Sequence, residues 1–410
     1  MDIDSVKTSP FQSQEIACYN AQILYFYNIV NYADRLKSFL TYPFAEITRA
    51  KAEAAKRMRV VDFGVGDPDI PTPKNIQGAL VAGLAAFEAH RYPSYAGEPE
   101  LRQSIARYFL NNWKVKLDPE TELLTLIGTK EGIAHLPLAL LNPGDIGCYP
   151  DPGYPVYRAG IVFAGGKAVP LRLYPDLGWL PKLSEVPADA KLVWLNYPNN
   201  PTGAVADIEF FNAAIRFARE NNLAICHDAP YTEVAFDGCN PPSIMQASGA
   251  KDVCIEFHSL SKTYNMTGWR IGMAVGNPEL INALFRFKSN LDSGIPQAIQ
   301  LAAITALTGS QEHIKERNLI YQKRRDKLVN ALNEIGIKAK SPAAGFYIWT
   351  RVPDGYTSVS YTAELIDKAG VAVTPGTGYG SAGEGYIRLS ITVPDGRLEE
   401  GIKRLMKLRK

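Results

Sequence analysis

Ser259-Leu260-Ser261-Lys262-Thr263-Tyr264-Asn265-Met266-Thr267-Gly268-Trp269-Arg270 sets one lysine among hydroxyls and ahead of a forked cation. Such an amine can condense with an aldehyde, and Ser259, Ser261 and Arg270 can hold a dianionic phosphate beside it. A surface lysine next to a Ser/Thr turn is the plain alternative, and S-x-S-K alone does not exclude it. The stretch gains its meaning from what lies upstream. Asn222-Leu223-Ala224-Ile225-Cys226 is a short apolar run that reads as a buried parallel strand, and His227-Asp228-Ala229-Pro230-Tyr231 follows it. Asp228 therefore stands at a strand's C-terminal end, where open α/β sheets gather ligands. Capping or turn formation is the ordinary role of such an Asp. Here the lysine follows 34 residues later.

Asn196-Tyr197-Pro198-Asn199-Asn200-Pro201-Thr202-Gly203 comes after another strand-like run, Lys191-Leu192-Val193-Trp194-Leu195. Two X-Pro steps and a Gly favour a tight turn there, and such a turn can aim the Asn200 amide at a ligand. An amine, phosphate donors and a carboxylate suited to a pyridinium nitrogen together describe a pyridoxal phosphate (PLP) site. In it Asn200 and Tyr231 can reach the phenolic oxygen of the cofactor.

The succession N-x-P-x-N-P-T-G, D-x-x-Y and S-x-S-K, with Arg eight residues after the Lys, resembles the class I/II aminotransferases of PLP fold type I from about Tyr32 to the C-terminus. The resemblance implies Lys262 as the Schiff-base lysine and proton shuttle. It implies Asp228 as the pyridinium partner, Asn200 and Tyr231 as phenolate donors, and Ser259, Ser261 and Arg270 as phosphate ligands. Gly128-Thr129-Lys130-Glu131-Gly132 reads as a glycine turn opening a helix over Ile133 to Leu141, so the amides of Thr129 and Lys130 can complete a phosphate cup. By the same resemblance Tyr154, in Asp151-Pro152-Gly153-Tyr154-Pro155, stacks on the pyridine ring, although a core tyrosine in a Pro-rich loop reads equally well without it. Tyr92 would touch the phosphate of the partner subunit in a homodimer with shared sites.

Tyr386-Ile387-Arg388-Leu389-Ser390-Ile391 alternates as a strand does, and an Arg between Ile and Leu faces away from both. Solvent exposure is one reading; the resemblance makes Arg388 the bidentate ligand of a substrate α-carboxylate, with an amide from Gly66 beside it. Gly64-Val65-Gly66-Asp67-Pro68 lacks the third glycine of a dinucleotide loop, and Pro68, Pro71 and Pro73 argue for an extended segment.

At 410 residues, 46% hydrophobic and a net charge of +2, the chain can bury large cores and shows no basic patch, so neither nucleic acid nor membrane is an expected partner. The five cysteines have no metal-type spacing, no metal is expected, and their odd number suits the cytoplasm. Ala21 to Val30 is too short to span a bilayer and lacks the flanks of a signal peptide. We read residues 1–31 as a peripheral extension and 32–73 as a segment joining the small domain. Residues 74–309 form a large α/β domain with a mostly parallel sheet flanked by helices, and 310–410 a smaller α+β domain entered by a charged helix over Glu312 to Ile335.

Finer resemblance is to the subfamily that moves an amino group between LL-diaminopimelate and 2-oxoglutarate on the route to lysine. It is carried by Ala33 to Leu36, Tyr42 to Ile47, Gly64 to Pro73, His258 to Arg270 and Lys288 to Gly294. It implies that Tyr42 contacts substrate and that Asn290 reaches the neighbouring subunit's cofactor site. Leu40-Thr41 stand where the subfamily usually has two prolines. Other readings are a class I aminotransferase for aspartate, alanine or aromatic amino acids, a PLP lyase, and a non-enzymatic aminotransferase-like regulator. The region before Tyr32 is too short and too weakly basic to be a regulator's DNA-binding domain.

Overall fold

The computed structural model describes residues 31–39 and 45–408. Tyr42 and nearly all of residues 1–31 lie outside them. The chain divides into two units, Met1–Tyr42 and Pro43–Lys410. In the first, the described residues include one short helix, Asp34–Lys37, with none of its residues buried.

Among the described residues the second unit holds thirteen strands. They are β1 (Val61–Asp62), β2 (Leu123–Leu126), β3 (Ile146–Asp151), β4 (Lys167–Tyr174), β5 (Leu180–Pro181), β6 (Ala190–Asn196) and β7 (Ala224–Asp228), then β8 (Cys254–Ser259), β9 (Gly272–Gly276), β10 (Tyr347–Arg351), β11 (Val371–Ala372), β12 (Thr374–Pro375) and β13 (Tyr386–Ser390). Eight form one sheet in the order β2-β9-β8-β7-β6-β3-β4-β5. Its centre, β8 through β4, is parallel, and antiparallel pairings occur only toward the edges. From β3 the chain passes to β4 on one side and later to β6 on the other, so the direction of winding switches between β3 and β6.

A strand covered on both faces has no polar face, which is why β6, β7 and β9 read largely as apolar runs, whereas β8 alternates Ile255 and Phe257 with buried Glu256 and His258. Leu192 and Trp194 of β6 enter one core, with Ile133, Leu136, Tyr157 and Leu284 from the helices Thr129–Leu140, Val156–Phe163 and Pro278–Lys288. Val193 and Leu195 enter the opposite core, with Ile105, Phe109, Phe211, Ile215 and Ala302 from Pro99–Trp113, Ile208–Asn221 and Gln297–Thr308. The period of two thus divides each strand between two helical layers.

A further core is built around the antiparallel sheet β10-β13-β12 and the parallel pair β1-β11. The charged helix runs Glu312–Glu334, as expected, and it buries Ile314, Tyr321, Leu328 and Leu332 along one stripe. Tyr231, Val234 and Phe236 also enter this core. On these cores we propose domain limits of 74–309 and 310–410, with the chain from Val61 joining the smaller part.

The last helix, Asp395–Met406, seats β1 by close contact. A Cβ at Gly401 would lie 2.5 Å from Phe63 Cζ and 3.1 Å from Val61 Cγ1, so only glycine leaves room there. Phe63 in turn pairs with Ala372 and Ser390 through its main chain and leads directly into Gly64 and Gly66. Gly401→Val should therefore cost about 1 to 3 kcal/mol by overpacking, read as a fall of a few degrees in melting temperature. An unchanged melting temperature would show that Phe63 can yield.

Candidate active site

The parallel register sets Asn196 opposite Asp228, and Asp228 opposite Phe257 two residues before Ser259. Three apolar strands consequently end together on polar residues. Asn196 locks two of these ends, its Nδ2 donating to Asp228 O at 2.8 Å and its Oδ1 accepting from Asn200 N at 2.8 Å. The turn beyond it closes through Asn199, whose Oδ1 accepts from Thr202 N and Thr202 Oγ1, while Gly203 N donates to Asn199 O at 2.9 Å. Gly203 takes φ +71°, and a Cβ there would lie 2.7 Å from Pro342 Cβ. The expected turn is present for the expected reason.

Asp228 is buried, and Tyr157 Oη donates to its Oδ2 at 2.6 Å. Its Oδ1 is buried with no partner. Burial pushes the Asp228 carboxyl up to about 7, against the opposing pull of the Tyr157 hydrogen bond and of His258. Tyr154 packs edge-to-face on Tyr157, and its hydroxyl is pushed up to about 12, first by burial and then by Asp228.

The lysine follows β8 on the short helix Leu260–Thr263, where Ser259 Oγ accepts from Ser261 N at 3.2 Å. Ser261 Oγ is buried without a partner. Lys262 Nζ donates to Gly66 O at 3.2 Å. Its amine is held below the usual lysine range, chiefly by burial; Arg270 and Arg388 push the same way, and Tyr347 and Asp67 oppose. Arg270 adopts the left-handed φ of +54°, a costly conformation for a side chain with a Cβ. Its guanidinium donates to Thr267 O at 2.7 Å and lies against Gly128, where a Cβ would be 2.2 Å from Nη2. Gly128, at φ +74°, caps the helix Thr129–Leu140, whose first-turn amides at Thr129 and Lys130 take no main-chain partner. Three elements distant in sequence so bring donors suited to a phosphate to one place.

Arg388 is 6% exposed, which overturns the solvent-facing reading of its strand position. Its Nη1 donates to Asn200 Oδ1 at 2.9 Å and its Nη2 to Gly64 O at 2.6 Å, while Nε is buried without a partner. The guanidinium lies over the Tyr347 ring at 3.9 Å and the Tyr379 ring at 4.8 Å. With Asn200 Oδ1 occupied, the Nδ2 of that amide is the end free to donate. Tyr231 Oη lies 3.1 Å from Tyr347 Oη. A Cβ on Gly66 would fall 2.1 Å from the same Tyr347 oxygen, so the extended segment can approach only as glycine.

Lys262, Asp228, Asn200, Tyr231, Tyr154, Ser259, Ser261, Arg270, Thr129, Lys130, Arg388 and Gly66 thus fall on one connected set of elements. Two expected residues stand apart from it. Tyr92 is 88% exposed, and Asn290 is exposed with its Nδ2 donating to Arg286 O at 2.7 Å. Tyr42 is outside the described residues. Tyr157, Tyr347 and Tyr379 were not legible as site residues. Tyr157 stands three residues after Tyr154 at the start of a helix, and Tyr347 opens the strand β10, so neither carried a signal of its own.

This is the architecture of an amino-group transferase of fold type I. Residues 58–405 match the pattern of the aminotransferase class I and II family, and the chain belongs to that family. Its members are PLP-dependent. The chain is 54% identical over 376 residues to an LL-diaminopimelate aminotransferase of Dehalococcoides mccartyi, covering 90% of this chain and 97% of that protein. It is 49% identical over 378 residues to the LL-diaminopimelate aminotransferase of Halothermothrix orenii, covering 91% and 97%. Substrate-bound BacF from Bacillus subtilis superposes with a TM-score of 0.88 at 35% identity, covering 93% of this chain and 98% of BacF.

The raised Asp228 carboxyl makes a prediction for the protein stripped of small molecules. A carboxyl whose folded value lies above its unfolded value of about 3.9 adds stability at low pH that is lost as pH rises toward 7. Asp228→Asn should therefore raise the melting temperature above wild type at pH 8, by the equivalent of a few kcal/mol at most, with the gap narrowing as pH falls below about 7 and closing near about pH 4. Thermal melts across that range test it, and a gap independent of pH would refute it.

Proposed function

We propose that this chain is a PLP-dependent aminotransferase that exchanges an amino group between LL-diaminopimelate and 2-oxoglutarate, giving tetrahydrodipicolinate and glutamate. The carrying observation is the buried Asp228 with an unpartnered Oδ1, reached by the same turn and strands that present Lys262, Asn200 and Arg388. A buried carboxylate in that state calls for a cation, and a protonated pyridine nitrogen is one. Ser259, Ser261, Arg270 and the amides of Thr129 and Lys130 suit its phosphate, Asn200 Nδ2 and Tyr231 Oη its phenolic oxygen, and Tyr154 its ring face.

When bound, PLP supplies an aldehyde that condenses with amines and a pyridinium that draws electrons from the bond being broken. Asp228, with its free Oδ1, would keep the pyridine nitrogen protonated, and Tyr157 orients the carboxylate for that task. Arg388, restrained by Asn200, Gly64 and two tyrosine rings, has N–H groups left over for the substrate α-carboxylate, with the Gly66 amide beside them. Lys262 Nζ, which burial inclines to the neutral form, can take the proton from the substrate α-carbon.

The substrate assignment is supported by relatives bearing that name at 48–54% identity over at least nine-tenths of this chain. Tyr42 and Asn290 are our candidates for reading the distal end of the substrate. Exposed Tyr92 and Asn290 suit donation to a partner's site, so we also propose a homodimer with shared active sites. Among the described residues no helix is long and apolar enough to cross a membrane, and Cys148, Cys226, Cys239 and Cys254 are free, in keeping with a cytoplasmic enzyme.

Lys262→Ala should abolish turnover in a panel of amino donors offered with 2-oxoglutarate. In the wild type LL-diaminopimelate should be a good donor, and lysine, which lacks the distal carboxylate, should be poorer by up to about 10⁴-fold in kcat/KM. An aspartate, alanine or aromatic donor that outperformed LL-diaminopimelate would refute the substrate and spare the reaction class. For the dimer, separately inactive Tyr92→Ala and Lys262→Ala chains refolded together should regain part of the activity. Hybrid dimers that stay inactive would count against shared sites.

A further inference from the structure

Arg317 is 3% exposed on the buried stripe of the helix Glu312–Glu334, between Ile314 and Tyr321, where an aliphatic side chain would fill the space at less cost. No ion pair holds it there. All five of its N–H groups are spent on neutral oxygens. Nη1 donates to Lys262 O at 2.7 Å and also to Thr263 O; Nη2 donates to Glu233 O at 2.6 Å and Asn318 Oδ1 at 2.8 Å; and Nε donates to Asn318 Oδ1 at 3.2 Å. Asn318 Nδ2 donates to Glu233 O as well, at 3.0 Å, and so braces the guanidinium against the same carbonyl.

The carbonyls it joins belong to different segments of the site. Lys262 and Thr263 follow β8, whereas Glu233 ends the turn that begins at Asp228 and carries Tyr231. The Glu233 side chain accepts from Tyr108 Oη at 2.6 Å, which fixes that segment from its other side. No main-chain hydrogen bond joins Lys262 or Thr263 to Glu233. A rigid planar fork can hold two such segments at a set separation, and an ammonium with three donors on a flexible stem cannot.

We propose that Arg317 is a positioning residue for Lys262, clamping the main chain that bears the amine to the segment that bears Asp228 and Tyr231. This rests on the use of Lys262 and Asp228 proposed above. Loss of the fork lets the lysine segment shift against the rest of the site. The amine then leaves its buried place among Gly66, Asp67, Tyr347, Arg270 and Arg388, and its acidity moves toward that of an ordinary lysine.

The test uses the full-length protein with Arg317→Lys, Arg317→Gln and Asn318→Leu, and Lys262→Ala beside them. Steady-state kinetics and thermal melting are measured on each, and on the wild type and the variants that keep the lysine also the pH midpoint of Lys262 reductive methylation by formaldehyde and a borohydride reductant, located by mass spectrometry after removal of bound aldehyde. Arg317→Lys should lower kcat roughly 10- to 100-fold with KM changed less than about threefold, since small misplacements of a reacting group cost that much. The methylation midpoint should rise toward that of an ordinary lysine. Asn318→Leu should move both in the same direction by less, and it carries the test with Arg317→Lys if Arg317→Gln does not fold. An unchanged kcat and midpoint in Arg317→Lys would overturn the inference, as would a loss of activity that follows melting temperature with the midpoint unmoved. If Lys262→Ala keeps turning over, the functional reading fails and this inference with it; an inactive Lys262→Ala beside an indifferent Arg317→Lys overturns the inference alone.

Discussion

A carboxylate removed from water must find a cation, a proton or enough donors, and Asp228 finds only one hydroxyl. That shortage governs the site. The parallel register ends β6, β7 and β8 on Asn196, Asp228 and Ser259, and the apolar layers on both faces keep the sheet dry up to those residues. A carboxyl so placed is pushed up to about 7 by burial. Burial in two helical layers thus stabilises the sheet and raises the Asp228 carboxyl at its end.

The opposite side of the site is governed by a buried cation. Arg388 crosses from β13 to Asn200 on the β6 turn and to Gly64 beyond β1, and two tyrosine rings cover its faces. Each of those contacts comes from a different stretch of chain, so the clamp exists only when the antiparallel sheet is docked on the parallel one. Glycine makes the approach possible. At Gly66 a side chain would enter the Tyr347 hydroxyl, and at Gly128 it would enter the Arg270 guanidinium. In both places a main chain is brought to a functional group by the absence of a Cβ.

Much of this was legible before any coordinates. Asp228, Lys262, Asn200 and Arg270 stand in short motifs whose local chemistry is unusual: a carboxylate after an apolar strand, a lysine among hydroxyls, a turn with two X-Pro steps. The charged helix from Glu312 was legible from its composition, and its buried stripe followed from the helical period. Tyr157, Tyr347 and Arg317 were not. A tyrosine in a helix or strand, or an arginine in a charged helix, has the same local pattern whether it faces water or a catalytic group, because the partners that decide it lie 54 to 116 residues away.

By itself the sequence determined the class of fold and the motifs that mark the family, because these depend on periodicity and on functional groups close together in the chain. Tertiary structure alone decided that Arg388 is buried rather than solvated, since an alternating strand leaves the identity of its covering face open until another element packs there. It decided likewise that Asp228 keeps one oxygen unsatisfied, and that Arg317 joins the lysine to the turn of Asp228. Those are properties of desolvation and of contacts between distant segments, which no local pattern encodes.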